Sequence, residues 1–189
     1  MAPATLDIFE ALHSQVLQIH VRWAQFLALF TVSDERMKFL SAAAPGFFRL
    51  IYDTFRDDAF ISLSRLTDRS QTLGRDNLTL VTLVEAAEAS GNASLAVPAR
   101  ALLDKLLAVV PGIRTWRNQW LAHTDLQSAL SPTPLPGIRV QRGHIDQALE
   151  LVRELMALFS RNFSREPYDY LTIVVMGDAE AFVRALQSP

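Results

Sequence analysis

"FEALHSQVLQIHVRWAQFLALF", residues 9–30, decides how the chain folds. Phe9, Leu12, Val16, Ile19, Trp23, Phe26 and Phe30 recur at alternating steps of three and four. That spacing puts all seven on one stripe of a helix and none of them on alternate faces of a strand. The spacing predicts a long core helix from about Thr5 to Phe30. His13 and His20 lie beside the stripe, separated along the axis by about 10 Å at the helical rise. Without further ligands they cannot share one metal ion, so they read as flank or interface residues.

Working outward, "SDER" at 33–36 opens a helix, and Pro45 stands where the next one starts or kinks. The stripe Phe48, Ile51, Phe55 continues at helical spacing into Asp58, Ser62 and Arg65, so a face that begins apolar ends polar. Two readings stay open: the helix emerges into water, or its polar end supports a site. Asp76, Asn77 and Thr79 are candidate caps for the helix carrying Leu80, Leu83, Val84 and Ala87, and "SGN" at 90–92 stops it. A further helix is expected from near Pro98 to Val110, and Pro111 opens a short one bearing Arg114, Trp116, Arg117 and Trp120. "SPTPLPG", residues 131–137, is a loop, because its prolines lack the donors of a helix interior. Ile145, Leu149, Val152, Met156, Phe159 and Phe163 define a helix from about His144 to Phe163. The β-branched "YLTIVV", residues 170–175, favours an extended strand, which needs a pairing segment, a second copy, or else is a helix after all. "DAEAFVRALQ" closes the chain as a short helix capped by Asp178. The expected fold is therefore all-α: one domain over 1–189, with a Pro-rich loop at 131–142 and a short irregular or β-like C-terminal appendage from 166.

Composition narrows the function. In 189 residues, 50% are hydrophobic and 20% charged, enough to bury a core. The absence of cysteine removes disulfides, thiolate metal sites and a cysteine nucleophile, and fits a reducing cytoplasm. Asp7 and Glu10 interrupt any signal-like start, and the charge-free runs 11–21 and 23–33 fall short of the roughly 20 residues that span a bilayer, so no membrane partner is expected. A net charge of −2 argues against coating long nucleic acid but leaves room for a local phosphate site. No glycine-rich phosphate loop or metal-binding box is evident, so no cofactor and no metal is implied.

The chemistry concentrates in 114–125. Arginine keeps its charge and presents a fork that matches two phosphate oxygens, whereas histidine titrates near neutrality. Arg117 and His123 together suit phosphodiester cleavage, the imidazole taking a proton from an RNA 2′-hydroxyl and the guanidinium stabilising charge on the phosphoryl oxygens. On a continuous helix the two would lie about 120° apart and roughly 9 Å along the axis. Convergence demands a helix end near Ala122 or a second protomer. In the competing reading His123 complements a helix C-terminus, Arg117 pairs with an acid and Asn118 satisfies a loop. Trp116 and Trp120 read as core or interface residues rather than a base-stacking platform.

The stretch "RTWRNQWLAHTD", residues 114–125, resembles the Arg-Asn…His motif of the HEPN superfamily. "ISLSRLTD" at 61–68 and "NLTL" at 77–80 make the chain similar to the AbiU-type branch, linked to abortive infection. The resemblance implies a HEPN-like bundle that dimerises so that two motifs face one cleft, and metal-independent ribonuclease chemistry leaving a 2′,3′-cyclic phosphate, of toxin or phage-defence type. It makes Arg117 the phosphate-stabilising arginine, Asn118 an orienting residue and His123 the general base or acid. Asp58, Arg65 and Arg114 are candidate supports. The expected partners are RNA, a second copy, and an antitoxin or other protein. The alternative is a non-catalytic HEPN-like dimer that binds a protein or nucleotide, its "YLTIVV" segment free to extend a partner's sheet.

Overall fold

The computed structural model describes residues 4–118 and 141–187. They form eight helices and one small hairpin: α1 (Thr5–Phe30), α2 (Asp34–Ala43), α3 (Pro45–Leu66), β1 (Gln71–Thr72), β2 (Arg75–Asp76), α4 (Leu80–Ala89), α5 (Ala93–Val109), α6 (Pro111–Trp116), α7 (Arg142–Asn162) and α8 (Ala179–Gln187). No helix among the described residues is long and apolar enough to cross a membrane. The described chain divides into two compact units, one from 1–16 with 60–168, the other from 17–59 with 169–189.

In the first unit α5 packs against both α4 and α7. The α7 stripe read from the sequence is the one buried: Ile145, Leu149, Val152, Met156 and Phe159 are at most 2% exposed. Phe9 from α1 stacks on Phe159 with ring centroids 6.4 Å apart and meets Phe163 at 5.4 Å. α4 starts where Thr79 leaves helical geometry and its hydroxyl accepts the Thr82 N–H at 3.1 Å. α5 starts earlier than its proline suggested, at Ala93, because the Asn92 side chain accepts the Leu95 N–H. Pro98 sits inside the helix, where its missing N–H removes only one early intrahelical bond. His13 packs edge-on against Tyr168 at 5.0 Å, and burial pulls its pKa below the ordinary histidine value.

The second unit holds the rest of the α1 stripe. Trp23 stacks on Phe26 at 4.6 Å, and Phe26 and Phe30 both meet Tyr52 at 5.2 Å. α2 is capped by Ser33, which accepts the Arg36 N–H at 3.2 Å. "YLTIVV" is neither strand nor helix. Tyr170 is buried against His20, while the Asp169 carboxylate accepts from the Leu171 N–H and the Thr172 hydroxyl, each at 2.9 Å, and turns the chain. β propensity without a ladder partner does not hold a strand, and Leu171, Val174 and Met176 project into solvent. Asp178 caps α8 through the Ala181 N–H at 2.8 Å, as its sequence suggested.

α8 is tied down by Arg36, whose guanidinium forks onto both Glu180 carboxylate oxygens, Nη2 to Oε2 at 2.9 Å. Hydrogen bonding to Arg36 holds the Glu180 pKa below the ordinary glutamate range. A depressed folded-state pKa means a contribution fully present above the unfolded value and lost as pH falls through the folded one. Glu180 is partly exposed, so the effect is modest. Glu180→Gln is expected to flatten the acid side of the stability profile and leave neutral stability slightly lower, as measured by thermal melts between acid and neutral pH.

Candidate functional site

Around Arg117 the site is assembled from a helix end and a helix start, both in the first unit. α3 stops at Leu66, and Thr67 is buried with its hydroxyl donating to the Leu63 carbonyl at 2.7 Å. That leaves the Thr67 carbonyl as one of the unpaired acceptors of a helix C-terminus, and the Arg114 guanidinium fills it through Nη2. Asp68 comes immediately after. Its Oδ2 accepts from Arg117 Nη1 at 2.9 Å.

α6 delivers both arginines. Pro111 occupies its first position, where a missing donor is harmless. Ile113, fully buried, pins the helix, and Trp116 meets Phe60 edge-on at 5.9 Å. Arg114 and Arg117, three apart, then lie on one face towards 67–68. Arg117 Nε also donates to Asn118 Oδ1 at 3.0 Å. At Arg117 and Asn118 the backbone passes into a π-turn, so uniform α-helical phasing ends at Arg117.

The electrostatics are local and positive. Burial pulls the Arg114 pKa down, the charges of Arg117 and Arg69 lower it further, and Asp68 opposes them. Guanidinium nevertheless stays protonated at working pH. Among the described residues, Arg69, Arg114 and Arg117 therefore gather around Asp68, in a chain whose net charge is −2.

Of the residues the sequence singled out, Arg114, Arg117 and Asn118 are brought together. Arg65 lies exposed on the last turn of α3, its carbonyl accepting the Asp68 N–H at 3.4 Å. Asp58 belongs to the second unit, where it pairs with Arg22 at 2.7 Å. His123, Trp120 and the Pro-rich loop lie outside the described residues. Sequence reasoning missed Asp68 as a site residue, although it ends the stretch "ISLSRLTD". Its signal was a lone acid just past a helix whose last turn already carries Arg65. Among the described residues no cluster of three metal-ligating side chains occurs.

An all-α, HEPN-like fold with an arginine-asparagine pair at the end of a short helix is what the chain presents. The family model for AbiU2, a HEPN family, matches residues 3–182, and the chain belongs to that family. No curated protein matches it, and no solved structure does.

Proposed function

We propose that the protein is a metal-independent endoribonuclease, of toxin or phage-defence type, whose site uses Arg117 and His123. The observation that carries this reading is the held guanidinium: Asp68 and Asn118 fix Arg117 from two sides while a quarter of its side chain stays exposed. A fork oriented before substrate arrives need not reorganise to meet charge building on a phosphoryl oxygen. His123 takes the 2′-hydroxyl proton, the 2′-oxygen bonds to phosphorus, the bond from phosphorus to the 5′-oxygen breaks, and that oxygen takes a proton from water; the imidazolium returns its proton to solvent. The products are a 2′,3′-cyclic phosphate and a 5′-hydroxyl. Two copies facing each other supply the geometry that one helix would not. Incubating the purified chain with tRNA or total RNA in EDTA is expected to give fragments with cyclic phosphate ends. Intact RNA under these conditions overturns the proposal.

Asp68 acts here as a positioning residue. Asp68→Ala frees the Arg117 fork by removing the carboxylate that holds it, and is expected to lower kcat about 10- to 100-fold through misplacement of that group. KM for RNA stays level or falls, because the local charge becomes more positive. A rise in KM with kcat unchanged would assign Asp68 to binding instead.

A second reading, a non-catalytic module that binds a protein or nucleotide, is favoured by the same contacts, since Arg117 already has an acid to pair with. Thermal melts separate the two. A large drop in Tm for His123→Ala marks an architectural histidine, whereas a catalytic one is removable at little cost.

A further inference from the structure

Beside the Arg117 pair, in the same unit, lies an open cleft of about 400 Å³ between residues 67–71 and helices α4, α5 and α6. Arg69 and Arg114 line it, with Val81 and Leu107 as its apolar part. We propose that this cleft is a second phosphate subsite, in which Arg69 and Arg114 take the non-bridging oxygens of an RNA phosphate next to the one that Arg117 meets. This role rests on the ribonuclease reading.

The cleft carries charge that no ion pair among the described residues neutralises. Several arginines in the described chain are matched to a carboxylate, among them Arg22, Arg36, Arg100 and Arg165. Arg69 and Arg114 make no ion pair with any described residue. Asp68, the acid that acts on Arg114, is already bonded to Arg117. Arg114 is half-buried with a single backbone carbonyl as its partner, and its Nε is buried with no acceptor among the described residues. Arg69 is exposed and Arg114 half-buried, so an anion in the cleft meets one guanidinium from solvent and one whose burial raises the value of a charged partner. Among the described residues that line the cleft, Glu85 is the one carboxylate, and it is exposed.

The cleft is also firmly built. Arg69 does not sit on a loose loop, because Asn77 fastens its segment at three points. The Asn77 N–H donates to the Ser70 carbonyl at 2.7 Å, and its Nδ2 donates to the Arg69 carbonyl and the Thr72 hydroxyl, both at 2.8 Å. Phosphate contacts that fix register require such a platform, and a fork donor suits them better than a point charge. Arg114 on α6 and Arg117 at its C-cap stand about one turn apart, so consecutive phosphates of one strand can reach the cleft and the Arg117 fork together.

The test is fluorescence anisotropy of the full chain with a short single-stranded 2′-O-methyl RNA, which lacks the nucleophile for cleavage, over a range of KCl concentrations. Arg69→Ala is expected to weaken binding about tenfold, the equivalent of one charge-assisted hydrogen bond. It should also reduce the slope of log affinity against log salt by about 0.7, the value for one contact on a single strand. Arg114→Lys keeps the charge but loses the fork, so it weakens binding while holding the slope. Arg161→Ala, on the exposed end of α7, changes neither. Unaltered affinity and slope for Arg69→Ala, alongside weakened binding by Arg117→Ala, overturn the subsite and leave the ribonuclease reading standing. No RNA binding by the wild-type chain overturns the subsite and that reading together.

Discussion

RNA cleavage by the Arg117→Ala and His123→Ala proteins is expected to fall by about 10²- to 10⁴-fold relative to the wild type, in EDTA and with melting temperatures lowered by no more than about 4 °C. For His123 the magnitude is that of a positioned acid or base. For Arg117 it is that of a donor aimed at charge that appears only in the transition state. Arg117→Lys discriminates further. Lysine keeps the charge, but its donors sit on one nitrogen and cannot reproduce the planar fork that spreads Nε towards Asn118 and Nη1 towards Asp68, so most of the loss should persist. The readout is single-turnover cleavage of end-labelled RNA with the 2′,3′-cyclic phosphate ends assayed. Rates within twofold of wild type in both alanine variants would remove these two residues from the chemistry, even if the protein still cut RNA.

Helices were legible where periodicity and caps agreed. The seven-residue apolar stripe of α1, Thr79 before α4, Pro111 before α6 and Asp178 before α8 each combine a local signal with a buried face. Three features were hidden for separate physical reasons. α5 begins at Ala93 because Asn92 supplies a cap that outweighs one lost bond at Pro98. The β1–β2 hairpin turns through Leu73 at φ 51° and Gly74 at φ 75°. Paired left-handed residues suit such a turn, but leucine is a poor advertisement for it. "YLTIVV" has strand propensity and no ladder, and propensity loses. At the site, Arg117 and Asn118 stood out by type and spacing. Asp68 and the Thr67 carbonyl did not, because their partners are 49 and 47 residues away and no pattern in one sequence joins them.

Phe159→Ala is expected to produce the largest loss of stability. The ring is fully buried on the α7 face, stacked on Phe9 and 6.3 Å from Phe163, so truncation leaves a cavity that neighbouring aromatics cannot fill. Such changes cost about 3–5 kcal/mol. That is a large part of the roughly 5–15 kcal/mol by which domains are stable, and corresponds to a fall in Tm of about 6–20 °C at this size. Urea and thermal denaturation followed by circular dichroism give the number directly. Asp68→Ala sets the contrast. Its ion pair is partly exposed, with side-chain accessibilities of 25% for Arg117 and 35% for Asp68, so it should cost no more than about 1 kcal/mol. A small thermal effect beside a large kinetic one at Asp68, against a large thermal effect at Phe159, would separate the machinery from the frame that holds it. Comparable thermal losses at both would instead make the Asp68–Arg117 pair part of the frame, and Arg117 would then be an arginine held for packing rather than for a phosphate.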